Sequence, residues 1–450
     1  MFSKILIANR GEIAIRVIRA AKELGIKTVA IYSQADKDSL HLEFADEAIC
    51  IGKAAASDSY LNIPSIISAV EITDSDAIHP GYGFLAENPH FAEICESCGV
   101  KFIGPSAENI RLMGDKIKAK EMMRKAGLPL ISGSKNVIKS NDEALSVAKK
   151  MGYPLILKAK AGGGGKGMRV CHSDVRLVSA LLTAQAEAEA AFGNSEIYIE
   201  KFMEKPRHIE VQIAADNYGN VVYLGERDCS IQRRHQKIIE ETPSPAVNNR
   251  LRRKLGELSI KGVKSIDYHS VGTMEFLLDR KGDFHFMEMN TRIQVEHPVT
   301  EETTGIDLVK LQILLAAGEK LNLRQEDIAL KGSSVECRIN AEDPDNNFLP
   351  SPGKIEFCYI PGGKDVRVDT HIYSGYNISP YYDSLIAKLI TKADTRSEAL
   401  KKMEIALDEF LIEPIKTTVS FCKKIVTDSD FKRGNYHTGF LEKFLGTDEE

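Results

Sequence analysis

No stretch of this 450-residue chain stays apolar long enough to span a bilayer. The opening Met1-Phe2-Ser3-Lys4-Ile5 starts no apolar signal segment, so a cytoplasmic protein without membrane contact is expected. Positive charge is not in excess. The net charge of −5 argues against a general nucleic-acid surface and confines any anion site to a local cluster. Eight cysteines in a chain of this length make no disulfide framework. Cys95 and Cys98 form one C-x-x-C without the second pair a zinc site needs, and read as two thiols one turn apart on a helix predicted over 91–98. The common glycine fingerprints for nucleotides are missing as well. The first strand-to-helix turn, Asn9-Arg10-Gly11-Glu12, has a single glycine, and the run Gly162–Gly167 is followed by Met168, which breaks the P-loop pattern. Internal repeats and low-complexity tracts are absent.

What is present is an ordinary globular composition, 43% hydrophobic and 27% charged. The length predicts about three domains, placed at 1–114, 115–330 and 331–450, with a lid subdomain at about 130–204. Residues 4–105 alternate strand and helix, the pattern of a doubly wound parallel sheet. The loop His79–Asn88 carries two glycines around Tyr82, which allow close backbone approach to a neighbour. A helical stretch is predicted over 109–126. A small unit then contains strands over 153–159 and 168–171, a helix over 179–191 and a strand over 196–199. Antiparallel strands begin at Arg207, and the last hundred residues mix strands with helices predicted over 397–409 and 415–427. The expected class is α/β, in part α+β.

The segments 272–279 and 283–290 read as two strands joined by a tight turn centred between Lys281 and Gly282. Glu275 and Glu288 are equidistant from that centre, so a symmetric hairpin sets their carboxylates opposite one another on one face. Opposed carboxylates destabilise a sheet unless a cation lies between them. With the amide oxygen of Asn290 two residues on, this donor set suits Mg²⁺ or Mn²⁺ shared with substrate phosphates. An extended chain past Asn290 would put Arg292, Gln294 and Glu296 on the same face. A solvated outer face would mix in lysines, and this one does not.

Three weaker signals accompany the hairpin. The run Gly162–Gly167 lies between two strands, where a glycine-rich tip can fold over phosphates through backbone N–H groups, with Lys158 and Lys166 adding charge. Four consecutive glycines are costly in entropy if they only make a surface turn. Glu200-Lys-Phe-Met203 joins the lid to the body, a place where adenine can be held by main-chain hydrogen bonds. Arg227–Lys237 packs four cations and one histidine into eleven residues. With an acidic overall balance and no interleaved aromatics it reads as a polyanion pocket rather than a nucleic-acid patch.

Taken together, Glu288-Met-Asn-Thr-Arg-Ile-Gln-Val-Glu-His-Pro-Val-Thr300, Arg227–Lys237, the glycine loop, Arg338-Ile-Asn-Ala-Glu-Asp-Pro344, Phe348–Lys354 and Pro380–Asp383 resemble the biotin carboxylases of the ATP-grasp superfamily, in order and nearly end to end. The resemblance implies an ATP-grasp fold with an N-terminal doubly wound domain, a mobile lid and a C-terminal mixed α+β domain. It implies that Lys116, Lys158, Gly164, Gly165, Glu200, Lys201, Phe202, Met203, His208, Gln232 and His235 hold ATP. Glu275 and Glu288 would bind one divalent ion, and Glu288 with Asn290 a second. Lys237, Arg292, Gln294 and Val295 would hold bicarbonate, Glu296 would be the base, and Arg338 would face biotin. Two departures occur: Lys160-Ala161 stands where the family has Ser-Gly, adding a cation near the phosphates, and Phe202 replaces a frequent tyrosine.

The reaction so implied is carboxylation of biotin with ATP and bicarbonate through carboxyphosphate. The expected setting is the first half-reaction of acetyl-CoA carboxylase, feeding malonyl-CoA and fatty acid synthesis. Alternatives are the corresponding subunit of a split pyruvate carboxylase, a different ATP-grasp ligase, and a nucleotide-sensing subunit with a dead site. No Ala-Met-Lys-Met biotinylation segment occurs, so biotin is expected on a separate carrier protein, with carboxyltransferase subunits as further partners. The resemblance also implies a homodimer.

Overall fold

A computed structural model describes residues 1–134, 136–160 and 168–445. The N-terminal sheet is parallel and five-stranded, in the order Glu47–Gly52, Lys27–Ser33, Lys4–Ile7, Ala77–His79, Lys101–Phe102. This is the doubly wound arrangement that the strand–helix alternation predicts. Its central strands are buried runs of Ile, Leu, Val and Ala, as expected where helices cover both faces. Within the His79–Asn88 loop, Gly81 has φ +61°, and a Cβ there would lie 2.8 Å from the Asn9 amide nitrogen. That amide donates to the Pro80 and Tyr82 carbonyls, so the close approach the glycines permit is to Asn9.

The stretch predicted as one helix over 109–126 is two, Ala107–Gly114 and Lys116–Lys125. Asp115 sits between them in extended conformation, its side chain accepting from the amides of Ile117 and Lys118. An aspartate placed to cap a new helix ends the old one. Lys116 therefore occupies a first turn. The small unit that follows is a three-stranded antiparallel sheet, Arg169–Cys171, Leu155–Ala159, Ile197–Lys201, backed by the helices Asn141–Met151 and Asp174–Phe192. Its last strand runs two residues further than predicted, so Glu200 and Lys201 are strand residues. The predicted glycine tip, with Gly164 and Gly165, lies outside the described residues.

The remainder is organised on one antiparallel eight-stranded sheet. Its order is Phe284–Asn290, Ser270–Leu278, Arg207–Ala215, Val221–Arg233, Gln236–Thr242, Ser333–Asn340, Leu385–Ala393, Val366–Thr370. The sheet runs unbroken through position 330, because Ser333–Asn340 pairs directly with Gln236–Thr242. That pairing carries Arg338 to within reach of residues a hundred positions earlier. The last long helix begins at Val419 rather than near 415; Pro414 and the extended Leu411–Glu413 strand precede it. Among the described residues no helix is long and apolar enough to cross a membrane, and all eight cysteines are free thiols.

Candidate active site

The hairpin register sets Glu275 opposite Glu288, as the symmetry argument requires, but by a different route. Near the turn, Leu278 pairs with Phe284 and Phe276 with Phe286, which centres the turn on Lys281. A register shift between Glu275 and Phe276 leaves Met287 without an opposite residue and restores the Glu275–Glu288 pair. Such a bulge re-aims side chains next to active sites. The two carboxylates then part. Glu275 is buried and accepts from His208 Nε2 at 2.9 Å, from Gln294 Nε2 at 2.7 Å and from Asn290 Nδ2 at 2.5 Å. Glu288, one-third exposed, faces Lys116 at 3.7 Å.

Beyond Asn290 the strand ends, so Arg292, Gln294 and Glu296 are not aligned by pleating. They reach the site through a loop that closes into the helix His297–Thr304. Glu296 is buried, with Lys237 Nζ at 2.7 Å from one oxygen and Arg338 Nη2 at 2.8 Å from the other. Lys237 also contacts Glu210 and lies 3.3 Å from Glu275. Arg292 donates to Glu87 (2.8 Å), whose carboxylate also accepts from the Thr291 amide, and to Asn290 Oδ1 at 3.4 Å. Gln294 donates to Glu275 and accepts from Arg227 at 2.6 Å. The Val295 carbonyl accepts from Lys388.

Burial opposes charge on Glu296, but Lys237, Arg338 and Arg227 hold its carboxyl well below the usual carboxylate range. Glu275 is held low against burial by Lys237 and His208. Burial pushes Glu210 up to about 7 despite Lys237. Lys237 itself, which burial would neutralise, is kept an ammonium by Glu210, Glu275 and Glu296.

The nucleotide-binding expectations fall on the small three-stranded unit, the segment that leaves it, and neighbouring strands of the large sheet. Lys158 reaches Glu200 at 2.7 Å, and Lys120 contacts the same carboxylate while lying over the Tyr198 ring. At the hinge the Lys201 and Phe202 amides are spent on the Ser132 and Pro154 carbonyls. The Met203 amide makes no hydrogen bond among the described residues. Gln232 donates to His208 Nδ1 at 2.7 Å, while His235 is exposed at the hairpin tip. Lys160 is bound to Glu196 at 2.9 Å, so its charge is directed along the lid edge.

The site also contains Glu210 and Glu240, which the sequence motifs did not single out, and it buries Arg227, the first cation of the Arg227–Lys237 run. Glu210 sits between His208, Lys237 and Arg227. Arg227 is fully buried and bonds to Glu210, Gln212, Gln294, Thr273 and Thr300. Glu240 accepts from Arg338 at 2.6 Å. Period-two alternation was the available signal: His208, Glu210 and Gln212 share one strand face, unusual for a strand otherwise apolar.

Glu275, Glu288 and Asn290 offer only hard oxygens and an amide whose oxygen and nitrogen exchange by a flip. With the Asn290 oxygen turned toward the carboxylates, the set fits Mg²⁺ or Mn²⁺. A carboxylate–lysine–arginine pocket beside a hairpin of opposed carboxylates, with a separate small antiparallel sheet, is the arrangement of an ATP-dependent ligase of the ATP-grasp class.

Family models match the chain in three consecutive stretches: the biotin carboxylase N-terminal domain at 1–110, the carbamoyl-phosphate synthase L chain ATP-binding domain at 115–324, and the biotin carboxylase C-terminal domain at 336–443. "Biotin carboxylase 1" of Bacillus subtilis is 55% identical over 445 residues, 99% of each chain. A pyruvate carboxylase chain of Methanothermobacter thermautotrophicus is 53% identical over 451 residues, covering 100% of this chain and 92% of that protein. The biotin carboxylase domain dimer of the Hydrogenobacter thermophilus 2-oxoglutarate carboxylase, solved with MgADP, ADP and bicarbonate, superposes with a TM-score of 0.96 at 51% identity, covering 100% and 99% of the two chains. The chain belongs to the biotin carboxylase family. It is an enzyme that carboxylates biotin at the expense of ATP.

Proposed function

We propose that Glu296 is the general base, held between Lys237 and Arg338, and that bicarbonate enters by taking over Lys237 together with Arg292, Gln294 and Val295. The observation that carries this reading is the paired contact of one buried carboxylate with Lys237 at 2.7 Å and Arg338 at 2.8 Å. In that contact the base is stabilised as an anion and is weak. A bicarbonate that draws Lys237 to itself weakens this stabilisation, and burial then raises the proton affinity of Glu296. Glu296 takes the bicarbonate proton, the freed oxyanion attacks the γ-phosphorus, and the β–γ bridge oxygen leaves with ADP, giving carboxyphosphate.

Glu275, Glu288 and Asn290 would hold the divalent ions, which neutralise phosphate charge in this step. Lys116, Lys158, the glycine loop at Gly164 and Gly165, Glu200–Met203, His208, Gln232 and His235 hold the nucleotide, the Met203 amide supplying a hinge donor. Carboxyphosphate then splits into CO₂ and phosphate. The phosphate takes the ureido proton of biotin, the nitrogen attacks CO₂, and Arg338 stabilises the developing enolate oxygen.

Biotin arrives on a separate carrier protein in the cytoplasm, and the enzyme works as a homodimer with carboxyltransferase subunits as partners. The division of labour follows 1–114, 115–330 with its lid at about 130–204, and 331–450. Acetyl-CoA is the proposed final acceptor. The similarity to pyruvate and 2-oxoglutarate carboxylase chains supports a second reading, in which a 2-oxo acid is carboxylated. Labelled bicarbonate, ATP and biotin should give labelled carboxybiotin together with ADP. ATP hydrolysis indifferent to bicarbonate would overturn the assignment. Supplying acetyl-CoA or a 2-oxo acid with the co-purifying transferase separates the two acceptors.

A further inference from the structure

Lys388 has no solvent exposure at all, and a lysine is almost never fully buried unless it is paired. It lies on the Leu385–Ala393 strand, where the register sets it opposite Arg338 on one neighbour and opposite Asp369 on the other. Two cations opposed in a sheet repel, so each needs its own anions. Arg338 takes Glu240 and Glu296. Lys388 takes Glu12 at 3.1 Å and Asp369 at 3.8 Å. Its Nζ also donates to the Val295 carbonyl at 3.0 Å. Register-paired cations thus grip consecutive residues of one loop, Arg338 by the Glu296 side chain and Lys388 by the Val295 backbone.

We infer that Lys388 is a positioning residue that fixes the Val295–Glu296 peptide and thereby aims the Glu296 carboxylate; the inference rests on Glu296 being the base. The loop after Asn290 has no strand partner, so its carbonyls must find hydrogen bonds elsewhere. The one at Val295 finds a buried ammonium. That peptide leads straight into the helix His297–Thr304, with Glu296 at its N-cap, so holding it sets the direction in which the side chain leaves the backbone. Glu12 lies in the first turn of the helix Gly11–Glu23 and also accepts from the Tyr82 hydroxyl. Asp369 is clamped by Arg367, which reaches Glu301 on the Glu296-capped helix. Lys388 therefore ties the base loop to the N-terminal domain and to the far edge of the large sheet. A displacement of about 1 Å at a reacting group costs on the order of 100-fold in rate.

The test compares two double variants of the full-length enzyme carrying the same charges. Lys388→Met with Glu12→Gln removes the donor along with the carboxylate it would leave uncompensated. Lys388→Gln with Glu12→Gln keeps a neutral donor for the Val295 carbonyl. Bicarbonate-dependent ATP hydrolysis and Tm are measured for both. At matched Tm, the methionine variant should lose about 100-fold in kcat with the KM for ATP within about twofold of wild type, and the glutamine variant should regain at least about tenfold. Equal kcat for the two at equal Tm, or wild-type kcat in the methionine variant, overturns the inference by showing that Lys388 only balances charge. A wild-type enzyme whose ATP hydrolysis ignores bicarbonate overturns the base assignment and this inference with it.

Discussion

The Lys237 ammonium lies 2.7 Å from one oxygen of the Glu296 carboxylate and also touches Glu210 and Glu275. One cation thus serves three buried anions. Replacing Lys237 by Met should abolish most bicarbonate-dependent ATP hydrolysis and destabilise the fold by about 3 kcal/mol, the scale for leaving a buried ion uncompensated. The sign of the pH dependence follows from the depressed carboxyls. Glu275 and Glu296 are held below their unfolded values, so their stabilising contribution is present above about pH 4.3 and lost as pH falls through the folded values. The gap in Tm between wild type and Lys237→Met should be widest near neutrality and narrow below about pH 4. A gap constant from pH 7 to pH 3.5 would contradict the ion-pair account.

Glu288→Gln should remove most turnover while leaving the fold intact. The side chain is one-third exposed and 3.7 Å from Lys116, so the stability change should stay within about 0.5 kcal/mol. Losing an anionic ligand weakens the charge stabilisation that phosphoryl transfer depends on. Near wild-type kcat at saturating Mg²⁺, with a matched Tm, would remove Glu288 from the metal site.

Arg338→Ala should depress carboxybiotin formation more than bicarbonate-dependent ATP hydrolysis, if its guanidinium acts on biotin. Its contacts with Glu240 and Glu296 add a second expectation. Two buried carboxylates lose their partner, so a fall in Tm should accompany the kinetic loss. Restoring Tm through Arg338→Ala with Glu240→Gln isolates the catalytic part. Equal loss of both rates in that double variant would assign Arg338 to bicarbonate or to structure alone.

Lys158 should make ATP binding sensitive to alkaline pH. Burial and the nearby Lys116 push its ammonium down to about 8. Below that pH the charge is present for a phosphate; above it the charge is lost, and the KM for ATP should rise by up to about tenfold per pH unit. A KM flat from pH 7 to 9.5 would exclude this lysine from the nucleotide site.

The amino-acid sequence by itself determined the elements with strong local period. The parallel N-terminal sheet, the antiparallel strands from Arg207 and the Glu275–Glu288 opposition all follow from alternation and turn chemistry acting over a few residues. Even there the Met287 bulge was invisible, because one extra residue leaves the hydrophobic pattern nearly intact. Only the tertiary structure decided which charges meet. Arg338 and Glu240 are 98 positions apart, Lys237 and Glu296 are 59, and Lys388 and Val295 are 93. No local propensity encodes such separations. They are fixed by the strand order of the eight-stranded sheet, which brings these charges together where burial makes an unpaired charge costly.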